Sequence, residues 1–349
     1  RYEIVSKYSK KNNEPFKLIK ISDLISINLI NLDEAEFVKN LQHIFELNTE
    51  YSGYKEIITE SGINNIFKNI KEDKNNNLNI LNYILGNSTE KKFSENELNA
   101  WVKFISESTK KIKDIFKNKL GNCYVDFYQH CGDSLRNSGK IGVEKEFNAS
   151  GLHYIPMMIN RLIKSYRKFQ SDSLDKKLYI VIDTIRNPYE AKFFKDRYSA
   201  FYLVSINAPD QDRKKYLQEK YKFTYNQIKI IDAKESADKK KLTKLGVKFN
   251  DDKYYELRTS NVKKCIEISD IHIYNPRNEP NNQNILKAQL FWYISLMKHP
   301  GLITPTSLER VMQIAYTAKL NSGCISRQVG AVVTDENYAI KSVGWYDVA

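Results

Sequence analysis

Asp183 closes the apolar run Leu178 to Ile182 and is followed three residues later by Arg186, in Asp183-Thr184-Ile185-Arg186-Asn187-Pro188. Open α/β sheets bind ligands at the carboxyl ends of their strands. There a carboxylate can hold a magnesium-bound water while an arginine clamps a phosphate with two parallel hydrogen bonds. The same pair also reads as a helix-capping aspartate beside a surface arginine. A second phosphate-site candidate is Gly132-Asp133-Ser134-Leu135-Arg136 with Gly139-Lys140: glycine permits close backbone approach and Arg136 supplies a fork of donors. It is not a Walker A loop, because its glycines lack the GxxxxGK[ST] spacing and Ile141 stands where Ser or Thr would ligate magnesium. A structural turn explains the segment equally well. The cation-rich stretch Asp210 to Lys215, with Arg213 at its centre, would suit a mobile lid over phosphates, or serve simply as a solvated helix face.

Metal ligands are harder to find. None of the five histidines, His43, His130, His153, His272 and His299, is followed two residues later by Glu. The cysteines Cys123, Cys131, Cys265 and Cys324 form no CxxC pair, which argues against a disulfide framework and against a complete zinc site within the chain. Free, scattered cysteines fit a reducing cytoplasm.

The elements that must hold these residues follow from periodicity. Leu178 to Ile182 reads as a strand buried on both faces, and Asn187-Pro188 opens a helix that turns Ala191, Phe193 and Phe194 inward. Phe201 to Ile206 reads as a second buried strand, so the unit is βαβ with a right-handed crossover, part of a doubly wound, mostly parallel α/β sheet. Ile271 to Tyr274 is a late strand. A polar connector from Asn275 to Asn284 precedes a helix with Leu286, Leu290, Ile294 and Met297 on one face. Residues 17 to 32 read as a strand entering a helix, and residues 34 to 120 as a helical insertion. Its clearest member carries Leu98, Trp101, Val102, Ile105, Ile112, Ile115 and Phe116 at helical spacing, with a capping box at Ser94 and Glu97 and a stop at Gly121. The polar run Lys71 to Asn77 reads as a loop. After Pro305, Thr306 and Glu309 form another capping box. Leu308, Val311, Met312, Ala315 and Ala318 are the expected buried face of its helix, and Val329 to Thr334 with Ala339 to Val343 make a hairpin around Asp335-Glu336-Asn337. The predicted division is 1–302 and 303–349.

A net charge of +13 favours anionic partners such as nucleotides or RNA, although a solvated basic surface accounts for it as well. No apolar run approaches the ~18 residues a membrane span needs, and no signal peptide opens the chain, so no membrane partner is expected.

The segment Tyr179 to Glu190, then Arg197 to Asn207, resembles the kinase-like half of the anti-phage dCTP deaminases. Leu296 to Pro305 and Glu309 to Val333 resemble the junction and deaminase entry of the same family. The resemblance implies a P-loop kinase-like domain fused to a CMP/dCMP-type zinc deaminase. It implies deoxycytidine nucleotides as ligands, hydrolytic conversion of dCTP or dCMP to the uracil nucleotide, and a cytoplasmic, homo-oligomeric protein. It further implies a phosphate contact at Arg327, magnesium arriving with nucleotide, and a small RNA as regulator. Zinc ligands and a proton-shuttling Glu, in H/C-x-E and P-C-x-x-C, are then expected beyond Ala349, and a Walker A loop before Arg1. Where Tyr346 stands the related deaminases carry an Asn that contacts the sugar. A nucleotide monophosphate kinase and a nonenzymatic nucleotide- or RNA-binding module are the competing readings.

Overall fold

The structure, a computed structural model, describes residues 16–47, 78–143, 146–170, 177–249, 252–275, 284–301 and 303–347. It is mixed α/β, dominated by helix, with three small sheets. The polar run Lys71–Asn77 and most of the connector after Asn275 lie outside the described residues. The chain divides into two compact units, Arg1–Ile285 and Leu286–Ala349.

In the first unit, strand β1 (Phe16–Lys20) runs directly into helix α1 (Ile21–Ile30), as the pattern predicts. Helices α2 (Glu34–Leu47), α3 (Leu78–Leu85), α4 (Glu95–Leu120), α5 (Cys123–Ser138) and α6 (Tyr154–Gln170) follow. They close on one core in which Phe37, Phe116, Phe127 and Leu135 are fully buried, with the Phe116 and Phe127 rings stacked at 4.9 Å. Helix α4 starts where its capping box predicts: Ser94 Oγ accepts from the Glu97 backbone N–H, and the Glu97 carboxylate accepts from that of Ser94. A short 3-10 turn, Ala149–His153, lies against the end of α5 so closely that a Cβ on Gly151 would sit 2.7 Å from the Arg136 carbonyl oxygen.

Strand β2 (Tyr179–Asp183) pairs parallel to β1, and after α7 (Pro188–Arg197) strand β3 (Val204–Asn207) pairs parallel to β4 (Ile271–Tyr274). Asn187 caps α7 through the Tyr189 N–H, with proline at the first helical turn, and Ala191, Phe193 and Phe194 are buried as expected. Two expectations are corrected. Strand β2 is half-exposed along its length, with Ile180 and Ile182 against the core, because a short apolar run cannot distinguish a strand covered on both faces from one covered on one. The second strand begins at Val204, not Phe201, since its partner β4 offers only four residues to pair with. The two ladders form separate two-stranded sheets. Between β3 and β4 lie α8 (Asp210–Tyr221), α9 (Tyr225–Glu235), α10 (Lys239–Lys244), α11 (Tyr255–Arg258) and α12 (Val262–Glu267). A small core of Ile230, Ala233, Leu242, Val247 and Tyr255 holds the middle of this segment together.

The division between the units falls in the first turn of α13 (Asn284–Lys298), which buries Leu286, Leu290 and Ile294 but leaves Met297 exposed. In the second unit α14 (Ser307–Lys319) begins at the predicted Thr306/Glu309 capping box. It packs on the antiparallel hairpin β5 (Gly330–Thr334) and β6 (Ile340–Trp345). A Cβ on Gly330 would collide with the Ala315 carbonyl and the Lys319 amide of α14, so glycine sets how closely helix and hairpin approach. The expected buried face of α14 is narrower than its sequence suggests. Ala315 and Ala318 are buried, whereas Leu308 and Met312 are more than half exposed, because the hairpin covers only the small-residue side. Among the described residues no helix is long and apolar enough to cross a membrane.

Candidate functional site

The parallel register places Lys20, the last residue of β1, opposite Asp183, the last residue of β2. Both strands therefore deliver a charged side chain to the same carboxyl edge, which is where open parallel sheets meet their ligands. Asp183 is exposed. Thr184, immediately after it, has φ 78°, a left-handed conformation that a β-branched residue adopts only under strain. Capping does not account for Asp183, because Asn187 performs it; the Asn187 amide also donates to the carbonyls of Leu257 and Thr259.

Helix α4 closes one side of the edge. Ser106, Thr109 and Lys113 recur at three- and four-residue spacing and so form a stripe along one face. Lys20 Nζ donates to Ser106 Oγ at 2.9 Å, and one strand turn earlier Lys17 Nζ donates to Asn99 Oδ1 at 3.1 Å. Asp23, in the first turn of α1, is largely buried against this stripe. Burial raises its carboxyl above the usual range, partly offset by Lys20, Thr109, Lys113 and Ser106. Its Oδ1 and the Thr109 hydroxyl are both buried and close enough to influence each other, but neither makes a hydrogen bond of good geometry. The Lys113 ammonium, 5.1 Å from the Tyr128 ring centroid, is pushed below its ordinary pKa by burial. Asp23 and Asp183 oppose that shift, and Lys20 and Lys117 add to it. Asp23 and Lys113 are thus largely withdrawn from water on the inner side of an edge whose outer side, at Asp183, is exposed.

The predicted site residues are placed as follows. Arg186 follows the edge, with Nη1 donating to Glu235 Oε1 at 2.6 Å and its carbonyl accepting from the Asn261 N–H at 2.8 Å. Gly132 lies inside α5, not in a loop, and Gly139 is the left-handed residue that ends that helix, φ 75°. Arg136 is 4% exposed, and its fork is committed to Glu190 Oε1 at 2.8 Å and Asp133 Oδ1 at 3.0 Å. The segment 132–140 is therefore a helix, its terminus and a buried ion pair, and Arg136 presents no free fork to a phosphate. Arg213 on α8 holds both oxygens of Asp232, at 2.8 and 2.7 Å, and Asp210 at 2.9 Å. Those carboxylates occupy the fork expected to serve a lid. Arg327 lies exposed in the turn before β5, and Tyr346 is exposed just after β6.

The residues sequence reasoning passed over are Lys20, Asp23, Thr109 and Lys113. The signal for them was weak but present: a polar 106–109–113 stripe beside the apolar face of α4, and a lysine and an aspartate bracketing the start of α1.

Four of the five histidines are engaged locally, and His299 is exposed. His130 Nε2 meets Asn40 Oδ1 at 2.9 Å and packs 5.3 Å from the His43 ring; burial holds its pKa down at about 4. His272 Nδ1 lies 2.7 Å from Ser205 Oγ, and His153 packs on Phe193. Among the described residues no three His, Cys, Asp or Glu side chains converge as a metal site, and all four cysteines are buried free thiols.

Comparison of the chain with protein-family models, with curated proteins and with solved structures finds no match.

Proposed function

We propose that this chain is the nucleotide-binding part of a deoxycytidylate-type deaminase, binding dCTP or dCMP in its first unit and carrying the entry to a deaminase domain in its second. The observation that carries the first half is the carboxyl edge of β1 and β2, where Lys20, Asp23, Lys113 and Asp183 gather around a strained strand end. Charged groups left poorly solvated at a strand terminus suit an anionic ligand that restores what burial removed. The finer sheet reading belongs here too: the two parallel pairs are parts of one doubly wound, kinase-like sheet. The helix-and-hairpin order of α14, β5 and β6 supports the second half, together with the resemblance of residues 309–333 to a deaminase entry.

In this reading the residues that would hold a zinc ion, and the glutamate that would move protons, are not among the described residues. This chain's own residues bind and orient nucleotide. Asp183 would hold a water of magnesium carried in with the nucleotide, and Arg186 would exchange Glu235 for a phosphate oxygen. Arg327 contributes a phosphate contact in the second unit.

Calorimetric titration of the chain with dCTP and dCMP tests the binding half. Micromolar affinity is expected, weakened roughly 10-fold or more in Arg186→Ala through loss of a charge-assisted contact. Absence of nucleotide binding rejects it. Loss of cytosine absorbance in the C-terminally extended protein, abolished by a chelator, tests the deaminase half. The same edge also suits a nucleotide monophosphate kinase. Transfer of phosphate from ATP to dCMP in a coupled assay would favour that second reading.

A further inference from the structure

Helix α4 belongs to the predicted helical insertion, yet it carries part of the charged edge. We propose that Lys20, Thr109 and Lys113 bind a phosphate dianion, with Asp23 holding a hydrogen-bond donor of the same ligand, so that α4 is one wall of the nucleotide site. The proposal rests on the nucleotide-binding reading above and adds the residues that would grip the ligand's anionic end.

Three observations carry it. First, the arrangement is built from three separate elements: β1 supplies Lys20, α1 supplies Asp23, and the α4 stripe supplies Ser106, Thr109 and Lys113. The Lys20 to Ser106 hydrogen bond fixes β1 against that stripe. Second, the Thr109 hydroxyl, on a residue 3% exposed, and Asp23 Oδ1 are buried and lie near each other, yet neither reaches a partner in good hydrogen-bond geometry. Buried polar atoms of this kind are costly unless water or a ligand completes them. Third, the neighbourhood favours an anion over a metal ion. Lys20 and Lys113 stand beside the two carboxylates Asp23 and Asp183, Lys117 adds a further positive charge, and ammonium groups repel a divalent cation. A phosphate offers several acceptor oxygens to the two ammonium groups and the threonine hydroxyl. Asp23 then suits a ligand hydroxyl or amine, which a nucleotide supplies and inorganic phosphate does not.

The test is titration calorimetry of the 349-residue chain with inorganic phosphate, dCMP, dCTP and magnesium chloride separately, for wild type, Thr109→Val, Lys113→Met and Arg186→Ala. Thr109→Val removes the hydroxyl at nearly constant shape and keeps the test independent of folding. Circular dichroism of each variant verifies that the helices persist. The expected result is phosphate-bearing ligands bound by wild type, with affinity falling on the order of 10-fold or more in Lys113→Met and several-fold in Thr109→Val. Nucleotides should bind more tightly than inorganic phosphate. If nucleotide affinity falls in Arg186→Ala but is unchanged in both α4 variants, the α4 pocket is overturned while the nucleotide-binding reading stands. Binding of phosphate but not of either nucleotide overturns the nucleotide reading and leaves the anion pocket. No binding of any phosphate, or binding of magnesium alone weakened by the same variants, overturns the pocket itself.

Discussion

Two charged clusters in the first unit can be set side by side. Between α5 and α7, Arg136 is buried with Glu190 and Asp133, and Arg258, itself paired with Asp252 at 2.6 Å, is close enough to act on Asp133. At the edge of β1 and β2, Lys20, Lys113, Asp23 and Asp183 are also gathered, but without an ion pair that consumes them in the same way. In the first cluster the guanidinium fork is matched to carboxylates and fastens two helices together. Each cluster leaves one buried carboxylate oxygen unmet, Glu190 Oε2 in the first and Asp23 Oδ1 in the second, but only the second sets it beside half-buried ammonium groups that make no ion pair among the described residues. Charge density alone therefore does not mark a site. What separates the two clusters is whether a carboxylate claims the cation in a direct ion pair.

The largest expected effect breaks the structural cluster. Arg136→Met strands Glu190, which is fully buried, and should cost about 3 to 5 kcal/mol in urea unfolding. Combining it with Glu190→Leu should restore most of that loss, because no uncompensated charge is left behind. A similar loss in both variants would show that the pair contributes through packing and not charge.

Next in size is the strand end. Thr184→Gly relieves a left-handed threonine and should raise stability by about 1 kcal/mol, after the entropy that glycine gains in the unfolded chain. A destabilisation would mean that the threonine side chain holds the turn. At the edge, Lys113→Met should change stability by less than about 1 kcal/mol, since it removes a charge that burial already disfavours. A loss comparable to that of Arg136→Met would place the edge with the structural cluster.

The smallest effect is a slope with pH. Burial raises the Asp133 carboxyl to about 6, against the opposing influence of Arg136, Arg258 and Lys234. A carboxyl raised in the folded state binds its proton more tightly there than in the unfolded chain. Its contribution is therefore fully present below about pH 4 and is lost as pH rises through about 6. Asp133→Asn should remove this component, so the urea midpoint of wild type should rise relative to that of the variant from pH 6.5 to pH 4.5. A difference that stays constant with pH would show that Asp133 is ionised throughout.

Local signals in the sequence carried well into the structure. Ser94 with Glu97, Asn187-Pro188 and Thr306 with Glu309 start helices where they should, because a cap is satisfied within four residues and needs no distant partner. The hairpin around Asp335 follows for the same reason. Of the candidate edge, the sequence singled out only Asp183 and Arg186, which mark a strand end by their own position.

Tertiary structure decided the rest. Gly132 and Arg136 looked like a phosphate loop until α5 took in the glycine and Glu190, 54 residues away, claimed the arginine. Arg213 was likewise claimed by Asp232. Lys20, Asp23, Thr109 and Lys113 come together only because β1 lies against α4 and pairs in register with β2, across more than 150 residues of chain. Capping and periodicity are written in neighbouring residues, so the sequence alone determined where elements begin and which faces are apolar. Whether a charge is spent or left available depends on partners that only folding brings within a few ångströms, where the weakly screened interior makes each pairing count.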